Sequence, residues 1–279
     1  MHVIADSSST RTEWTLVNGS EIVEHAFTTG INPYFQSRRE ISHAIRLELP
    51  EVFFRGKRDH VFFYGAGCAT PERCKIVSQS LVAQFKTPVT VNSDLLGAAR
   101  GLLVRKPGLA CILGTGSNSC VYDGNNIQRH VRALGYVLGD EGSGAYMGKC
   151  LVADILKDLA PVEIREGFYE YFAVTANALM ESIYSNPLPN RTLARYATYL
   201  ATRIQDDYAH ELVYNSLMAF FRRNIAQYDY KSEPVNFVGS VAVTYKEILQ
   251  SVASDFGATV GTVTRYSMPG LINYHADEN

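Results

Sequence analysis

Carboxylates next to small-residue turns are the features of this 279-residue chain whose types and spacing could do chemistry. Asp6 precedes a run of small hydroxyl residues in "VIADSSSTRTEW" (residues 3–14), and Asp94 ends the apolar run "PVTVNSD" (88–94). Phosphoryl transfer needs a phosphate cradle, a carboxylate that holds Mg²⁺, and a carboxylate that accepts the proton of the attacking hydroxyl. These residues therefore predict Asp6 as the metal carboxylate and Asp94 as the base.

Both features also have an ordinary structural explanation. Asp and Ser are favoured turn residues, so residues 3–14 could form a plain hairpin. Asp94 could serve as the N-cap of a helix predicted over "LLGAARGLL" (95–103). The capping and catalytic roles are compatible, because a helix N-terminus favours an ionised carboxylate.

A second turn, "LGTGSNS" (113–119), follows the first strand predicted in the second half of the chain. Gly114 and Gly116 lack the Cβ atoms that would keep a phosphate away from the backbone. Successive N–H groups in such turns bind anions, and hydroxyl groups add further donors. The two turns together predict a two-sided phosphate clamp.

A further acidic pair, Asp140–Glu141, is bracketed by glycines in "GYVLGDEGSGAY" (135–146). The pair could recognise substrate hydroxyl groups, or it could be a solvent-exposed turn that starts a helix. The sequence leaves both interpretations open.

The elements that must position these residues occur in the same order twice. Apolar runs and periodicity predict β-β-β-α-β-α-β-α in the first half, and β-β-β-α-β-α-β with a large helical insertion in the second. The predicted fold class is α/β, with two mixed sheets flanked by helices in two domains that face a common cleft. The expected domains are residues 1–106, completed by 266–279, and residues 107–265.

Three element boundaries in the second half are predicted from local signals. A strand is expected over "IQRHVRALG" (127–135), and another over "VNFVGSV" (235–241). A helical stretch is expected from Ser143 to about Tyr228, with breaks near Pro161 and at residues 187–189.

Composition argues against several classes of protein. A charged fraction of 19% and a net charge of −2 give no basic excess for nucleic acid. No apolar run reaches the roughly 18 residues of a membrane span, and the chain start lacks a signal-peptide core, so a cytoplasmic protein is expected. The five cysteines are scattered and form no C-x-x-C pair, which disfavours a disulfide framework or a zinc site.

Taken together, the motifs resemble the N-acetylglucosamine kinase group and its relatives, the ATPases that activate benzoyl-CoA-type reductases. Both belong to the superfamily of sugar kinases, actin and heat-shock chaperones. The resemblance covers nearly the whole chain and rests on "DSSSTRTEW", "TTGINPYFQ", "VNSDLLGAARG", "ILGTGSNSCVYDG", "ALGYVLGDEGSGAYMG" and "VNFVGSVAVTYKEIL". It implies two actin-like ATPase (ribonuclease H-like) domains that use ATP and Mg²⁺ to phosphorylate an amino sugar, with N-acetylglucosamine the expected acceptor. It also makes a homodimer an expectation.

The resemblance implies roles for single residues beside those argued from the turns. The first phosphate turn would act through Ser8, Ser9 and Thr10, and the second through Gly114, Thr115 and Gly116. The sugar would be held by Asn32, Asp94, Ser117, Asn118, Gly135, Asp140 and Glu141. Gly239 and Ser240 would lie beside the adenosine, Asp6 would organise Mg²⁺, and Asp94 would deprotonate the primary hydroxyl.

Two other functions stay open. A nucleotide-binding sensor without a sugar acceptor is suggested by Ser7 and Ser8, which stand where the family usually has glycines. The presence of Asp94 and Asp140 argues against a sensor, because a sensor needs no base. A reductase-activator ATPase would need a fixed arrangement of cluster-binding cysteines, and Cys68 and Cys74 are the only close pair.

Overall fold

The computed structural model describes residues 1–8 and 10–276. Within these residues, strands form two five-stranded sheets flanked by helices, which confirms the predicted α/β class. The strands are β1 (His2–Ser7), β2 (Arg11–Asn18), β3 (Glu21–Thr29), β4 (His60–Gly65), β5 (Val89–Ser93), β6 (Gly108–Leu113), β7 (Ser117–Tyr122), β8 (Ile127–His130), β9 (Val235–Val238) and β10 (Val260–Thr264).

The helices account for the remaining regular structure. They are α1 (Arg38–Glu48), α2 (Pro71–Phe85), α3 (Asp94–Leu103), α4 (Gly135–Leu138), α5 (Gly144–Leu156), α6 (Val162–Phe172), α7 (Ala176–Tyr184), α8 (Pro189–Tyr196), α9 (Thr198–Thr202), α10 (Asp207–Arg223), α11 (Ser240–Thr244), α12 (Lys246–Phe256) and α13 (Met268–His275). Every helix in the described part of the chain falls short of the length and apolar content that a membrane crossing needs.

The chain divides into two compact units. Unit 1 contains Met1–Pro107, Tyr122–Gln128 and the residues from Tyr266 onward. Unit 2 contains Gly108–Val121 and Arg129–Arg265.

The sheet of unit 1 has the order β3-β2-β1-β4-β5. Strands β1, β2 and β3 form the predicted antiparallel meander, whereas β1, β4 and β5 are parallel. Ser7 pairs with Gly65, and Gly65 pairs with Ser93, so the carboxyl ends of the three parallel strands meet at one edge. This is the edge where an open α/β sheet carries its ligand site.

Strand β1 is apolar on both sides because both faces of its sheet are covered. Val3 and Ala5 belong to one hydrophobic cluster, together with Ile41 of α1 and Leu81 of α2. The intervening Ile4 points to the other face and belongs to a second cluster, with Leu271 of α13. Successive side chains of a strand point to opposite faces, so a strand covered on both sides reads as a continuous apolar run.

The second sheet, most of which belongs to unit 2, has the order β10-β9-β6-β7-β8. Strand β9 runs parallel to both β6 and β10, and Ile112 pairs with Val238. The hydrophobic cluster of unit 2 includes Leu151 of α5, Phe220 of α10 and Phe237 of β9.

Both strand boundaries predicted in the second half were wrong. The strand expected over residues 127–135 ends at His130, since the next backbone N–H, that of Val131, is held by the Tyr228 hydroxyl at 2.8 Å. The strand expected over residues 235–241 ends at Val238, because Gly239 has a φ of +128° and α11 begins at the next residue.

The helical insertion breaks near Pro161 and at residues 187–189, as predicted, and also at further points. One of these is Ala173, which ends α6 in the left-handed conformation with a φ of +50°. Left-handed C-caps are usually Gly or Asn, so this break carried no local signal.

Candidate active site

Asp6 lies one residue before the end of β1, at the carboxyl edge of the parallel strands. Its side chain is half-buried, and it receives a hydrogen bond from the Ser267 hydroxyl. Burial raises the pKa of Asp6 to about 7, against the effect of that hydrogen bond, and the charges of Glu13 and Asp94 raise it further. The influence of Asp94 means that the predicted metal carboxylate and the predicted base lie within electrostatic reach of each other.

Asp94 is the first residue of α3 rather than its N-cap, so the capping interpretation is wrong. The N-cap is Ser93, whose hydroxyl accepts the N–H of Leu96 at 3.3 Å. Oδ1 of Asp94 accepts the N–H of Leu95 at 2.9 Å. The positive end of the helix dipole favours the ionised carboxylate there.

The first predicted phosphate turn joins β1 to β2, and its Ser9 lies outside the described residues. Ser8 and Thr10 are exposed. Oγ of Ser8 accepts the N–H groups of Thr10 and Arg11, each at 3.3 Å. The Ser8 hydroxyl therefore already engages two amides at the predicted phosphate turn.

The sugar-contacting loop predicted around Asn32 follows β3. Oδ1 of Asn32 accepts the backbone N–H of Tyr34 at 3.0 Å, and the backbone N–H of Asn32 donates to Oε1 of Gln36 at 2.8 Å. A Cβ at Gly67, whose φ is +80°, would lie 2.4 Å from Asn32 Oδ1. Only glycine at position 67 therefore allows this placement of the Asn32 side chain.

Arg73 holds the same loop from α2. Its Nη1 donates to the carbonyl of Pro33 at 2.7 Å, and its guanidinium lies 4.4 Å from the centre of the Tyr34 ring. Tyr34 itself is exposed. Sequence reasoning missed Arg73, because no local pattern links the first turn of α2 to this loop.

The second predicted phosphate turn, Gly114 to Gly116, is held by backbone hydrogen bonds to the start of α5. The carbonyls of Gly114 and Thr115 accept N–H groups from Gly144 and Ala145 of α5, at 2.9 and 3.1 Å. A Cβ at Gly114 would meet no atom within 4 Å, so this side of the turn is open. The backbone at Gly114 is therefore accessible to a ligand from this side.

Gly239 and Ser240 lie beside this turn within unit 2. A Cβ at Gly239 would lie 2.2 Å from the carbonyl oxygen of Leu113 and 3.3 Å from the nitrogen of Gly114. Ser240 is exposed at the start of α11. The structure thus brings the predicted adenosine-side residues next to the predicted phosphate turn.

Asp140 also adjoins the turn. Its Oδ1 accepts the N–H of Ser117 at 3.3 Å, and its Oδ2 lies 3.2 Å from the position of a Cβ at Gly116. Burial raises the pKa of Asp140, although the hydrogen bond from Ser117 opposes the rise. Its φ of +59° is rare for a residue other than glycine, and such conformations concentrate at functional sites.

Glu141 is buried, so the pair is not the solvent-exposed turn that the sequence left open. Its Oε1 forms an ion pair with Nη1 of Arg223 at 3.2 Å. The predicted helix start after the pair is present, because Ser143 caps α5 by accepting the N–H of Tyr146 at 3.1 Å. Arg223 was missed because it lies on α10, remote in sequence from the acidic pair.

Asn118 and Gly135 are the two remaining residues predicted to contact the sugar. Oδ1 of Asn118 accepts the N–H of Ser119 at 2.9 Å. Gly135 is exposed with a φ of +72°, and its carbonyl accepts the N–H of Gly139 at 2.8 Å. Lys149 tethers the segment by donating to the carbonyl of Tyr136 at 3.1 Å.

Comparison with family profiles and with curated proteins finds no match. Solved structures do match. A candidate N-acetylglucosamine kinase from Porphyromonas gingivalis is 39% identical, with 99% of both chains covered and a TM-score of 0.95. A candidate N-acetylglucosamine kinase from Chromobacterium violaceum is 17% identical, with 98% of both chains covered and a TM-score of 0.78.

A more distant match is the ROK hexokinase from Thermus thermophilus. It is 16% identical, with 98% of this chain and 96% of that chain covered, and the TM-score is 0.50. At identities this low, the Chromobacterium and Thermus structures bear on the fold alone.

Proposed function

We propose that this chain transfers the γ-phosphoryl group of ATP to the primary hydroxyl of N-acetylglucosamine. The proposal starts from its family: the chain belongs to the N-acetylglucosamine kinase family, within the superfamily of sugar kinases and actin-like ATPases. The observation that carries the proposal is the pair Asp6 and Asp94 at the carboxyl edge of the unit 1 sheet, each within electrostatic reach of the other. Units 1 and 2 would be the two domains.

Mg²⁺ fits the surroundings of Asp6. Burial raises the pKa of this carboxylate to about 7, and a bound cation would compensate the buried charge. The described residues contain no group of three or more His, Cys, Asp or Glu side chains that could hold a metal. Mg²⁺ needs none, since it takes one or two carboxylates and completes its shell with phosphates and waters. When bound, it would neutralise phosphate charge.

Asp94 would act as the general base. Its carboxylate accepts the proton of the sugar hydroxyl while that oxygen bonds to the γ-phosphorus, and the bond from phosphorus to the β–γ bridging oxygen breaks to release ADP. Such a base contributes on the order of 10²–10⁴-fold to the rate. The hydrogen bond from Leu95 N–H to Oδ1 fixes the side chain, which supports this role.

The other predicted residues would divide between phosphate, adenosine and sugar. Ser9 and Thr10 would contact phosphates from unit 1, where the Ser8 hydroxyl competes with a phosphate for the amides of Thr10 and Arg11. Gly114 to Gly116 would contact phosphates from unit 2. Gly239 and Ser240 would contact the adenosine. Sugar contacts would come from Asn32, Ser117, Asn118, Gly135, Asp140 and Glu141. The cytoplasmic location and the homodimer stay predictions.

The proposal is tested by ADP release with Mg²⁺-ATP and, separately, N-acetylglucosamine, glucosamine, N-acetylmannosamine, glucose or no acceptor. We expect N-acetylglucosamine-dependent turnover that Asp94→Asn lowers on the order of 10²–10⁴-fold. The matched control is Asp229→Asn, which removes an exposed carboxylate and should leave turnover unchanged.

Acceptor-independent hydrolysis, or ATP binding without turnover, would overturn the kinase and favour a nucleotide-binding sensor. The Ser8 hydroxyl on the turn amides is the observation that keeps the sensor as a second candidate. Cys68, Cys111 and Cys120 are buried, which disfavours their binding a cluster shared between subunits and so disfavours the reductase activator.

A further inference from the structure

A cavity of about 570 Å³ lies on unit 1 between α1 and α2. None of the residues assigned above to phosphoryl transfer lines it. Its walls are basic or neutral: Arg38, Arg39, Ser42, His43, Arg46 and Gln84.

The spacing on α1 concentrates the charge on one face. Residues three or four positions apart are neighbours on a helix surface, so Arg38, Ser42 and Arg46 form one row and Arg39 and His43 the next. Like charges in such rows repel each other. Arg38, Arg39 and Arg46 are exposed, and none of them forms an ion pair within residues 1–8 and 10–276.

The acidic residues of α1 are engaged elsewhere. Glu40 accepts the N–H of Ser37 at 2.7 Å in a capping box, and Glu48 accepts the N–H of Thr29 at 2.6 Å. The facing helix contributes Gln84, whose Nε2 donates to Ser42 Oγ at 2.6 Å. The Ser42 hydroxyl hydrogen is therefore left to donate to a ligand.

The position of the arginines adds a second observation. Arg38 and Arg39 occupy the first turn of α1, where the helix dipole is positive and acidic side chains are normally favoured. Two cations at this end oppose the helix dipole. A bound anion would relieve both the mutual repulsion of the guanidinium groups and their repulsion from the dipole.

We propose that this α1–α2 cavity binds a small molecule that carries a phosphate monoester. Guanidinium groups form charge-assisted, two-point hydrogen bonds with phosphate oxygens, and the dianion matches a cluster of cations. The volume exceeds that of one phosphate and falls in the range of small-molecule pockets, about 300–1,000 Å³, so it leaves room for a sugar or a nucleoside. The site would function whether or not the chain is a kinase.

The test is hydrogen–deuterium exchange of the whole protein with three separate probes at millimolar concentration: N-acetylglucosamine 6-phosphate, AMP and inorganic phosphate. Either ester should slow exchange in α1 and in the last turns of α2, and the effect should weaken as salt is raised. The ester that binds more tightly identifies whether the ligand is a sugar phosphate or a nucleotide.

The variant Arg38→Gln/Arg39→Gln/Arg46→Gln should weaken this binding at least about tenfold. The matched control is Lys157→Gln/Arg222→Gln/Lys231→Gln, which removes the same charge from exposed positions of unit 2 and should retain binding. Arg39→Gln alone is a milder variant, which should weaken binding by a smaller factor.

Three results would overturn the proposal. They are no protection of α1 by either ester, equal protection in the triple glutamine variant, and inorganic phosphate binding as tightly as both esters. Loss of sugar phosphorylation in the Asp94→Asn enzyme would leave the α1 result unaffected, so the two proposals fail independently.

Discussion

The Ser7 hydroxyl oxygen lies 3.0 Å from the backbone nitrogen of Ile31 and accepts its N–H. Ser7 is fully buried, and the same oxygen lies 2.7 Å from Oγ1 of Thr12. This contact joins the end of β1, which carries Asp6, to the segment that carries Asn32. The first serine of the turn therefore has a structural role, whereas Ser8 faces the turn amides.

Replacing Ser8 by glycine should improve ATP use. The substitution frees the N–H groups of Thr10 and Arg11, which can then reach a phosphate. We expect the KM for ATP to fall several-fold with kcat little changed, measured by steady-state ADP release. The comparison variant is Ser7→Ala, which should instead lower the free energy of unfolding by about 1–3 kcal/mol. A rise in the KM for ATP in Ser8→Gly would mean that the serine itself contacts the nucleotide.

Arg73→Gln should weaken sugar binding selectively. The change removes the hydrogen bond to Pro33 and the contact with the Tyr34 ring, so the loop that positions Asn32 loosens. We expect the KM for N-acetylglucosamine to rise about tenfold, corresponding to about 1.4 kcal/mol, while the KM for ATP stays constant.

Lys75→Gln is the control for Arg73→Gln, because Lys75 is exposed on the same helix. It should change neither KM. Equal losses in both KM values for Arg73→Gln would point to general destabilisation of unit 1 instead of a local effect on the sugar loop.

Asp140→Asn should change the pH dependence of the free energy of unfolding and should also lower sugar turnover. Burial raises the pKa of Asp140 in the folded protein, so the folded state binds this proton more tightly than the unfolded state. The wild-type protein is then stabilised at acid pH and loses that stability as pH rises through the folded pKa. The slope of this loss reaches at most about 1.4 kcal/mol per pH unit.

The asparagine variant should lack that loss, so its stability relative to wild type should rise with pH in urea unfolding measured between acid and neutral pH. Its amide oxygen can still accept the Ser117 N–H. Sugar turnover should nevertheless fall, because a charged acceptor is lost. A relative stability that does not change with pH would contradict the raised pKa.

Gly270→Ala should destabilise unit 1. A Cβ at Gly270 would lie 1.9 Å from the carbonyl oxygen of Gly101, where α13 crosses α3. Overpacking of this kind costs about 1–3 kcal/mol, which thermal or urea unfolding would detect. Asn273→Ala, on the exposed side of the same helix, should have little effect. An unchanged stability in Gly270→Ala would show that the two helices can separate freely at this crossing.

The amino-acid sequence by itself determined the order of the elements and several of the turns that join them. The meander of β1 to β3, the strand before Asp94 and the glycine turn at Gly114 all follow from periodicity and turn chemistry. These signals act between residues a few positions apart, so they can be read without knowing how the elements pack. They fail where two adjacent residues could both take the same role, as at the start of α3, where Ser93 is the N-cap instead of Asp94.

Only the tertiary structure decided which remote residues surround the candidate site. Ser267 reaches Asp6, and Arg223 reaches Glu141, although each pair is far apart in sequence. Gly239 meets Leu113 because β6 and β9 pair in parallel, which no pattern within either strand specifies. Such contacts depend on the packing of whole sheets and helices, and the pKa values of buried carboxylates depend on them in turn.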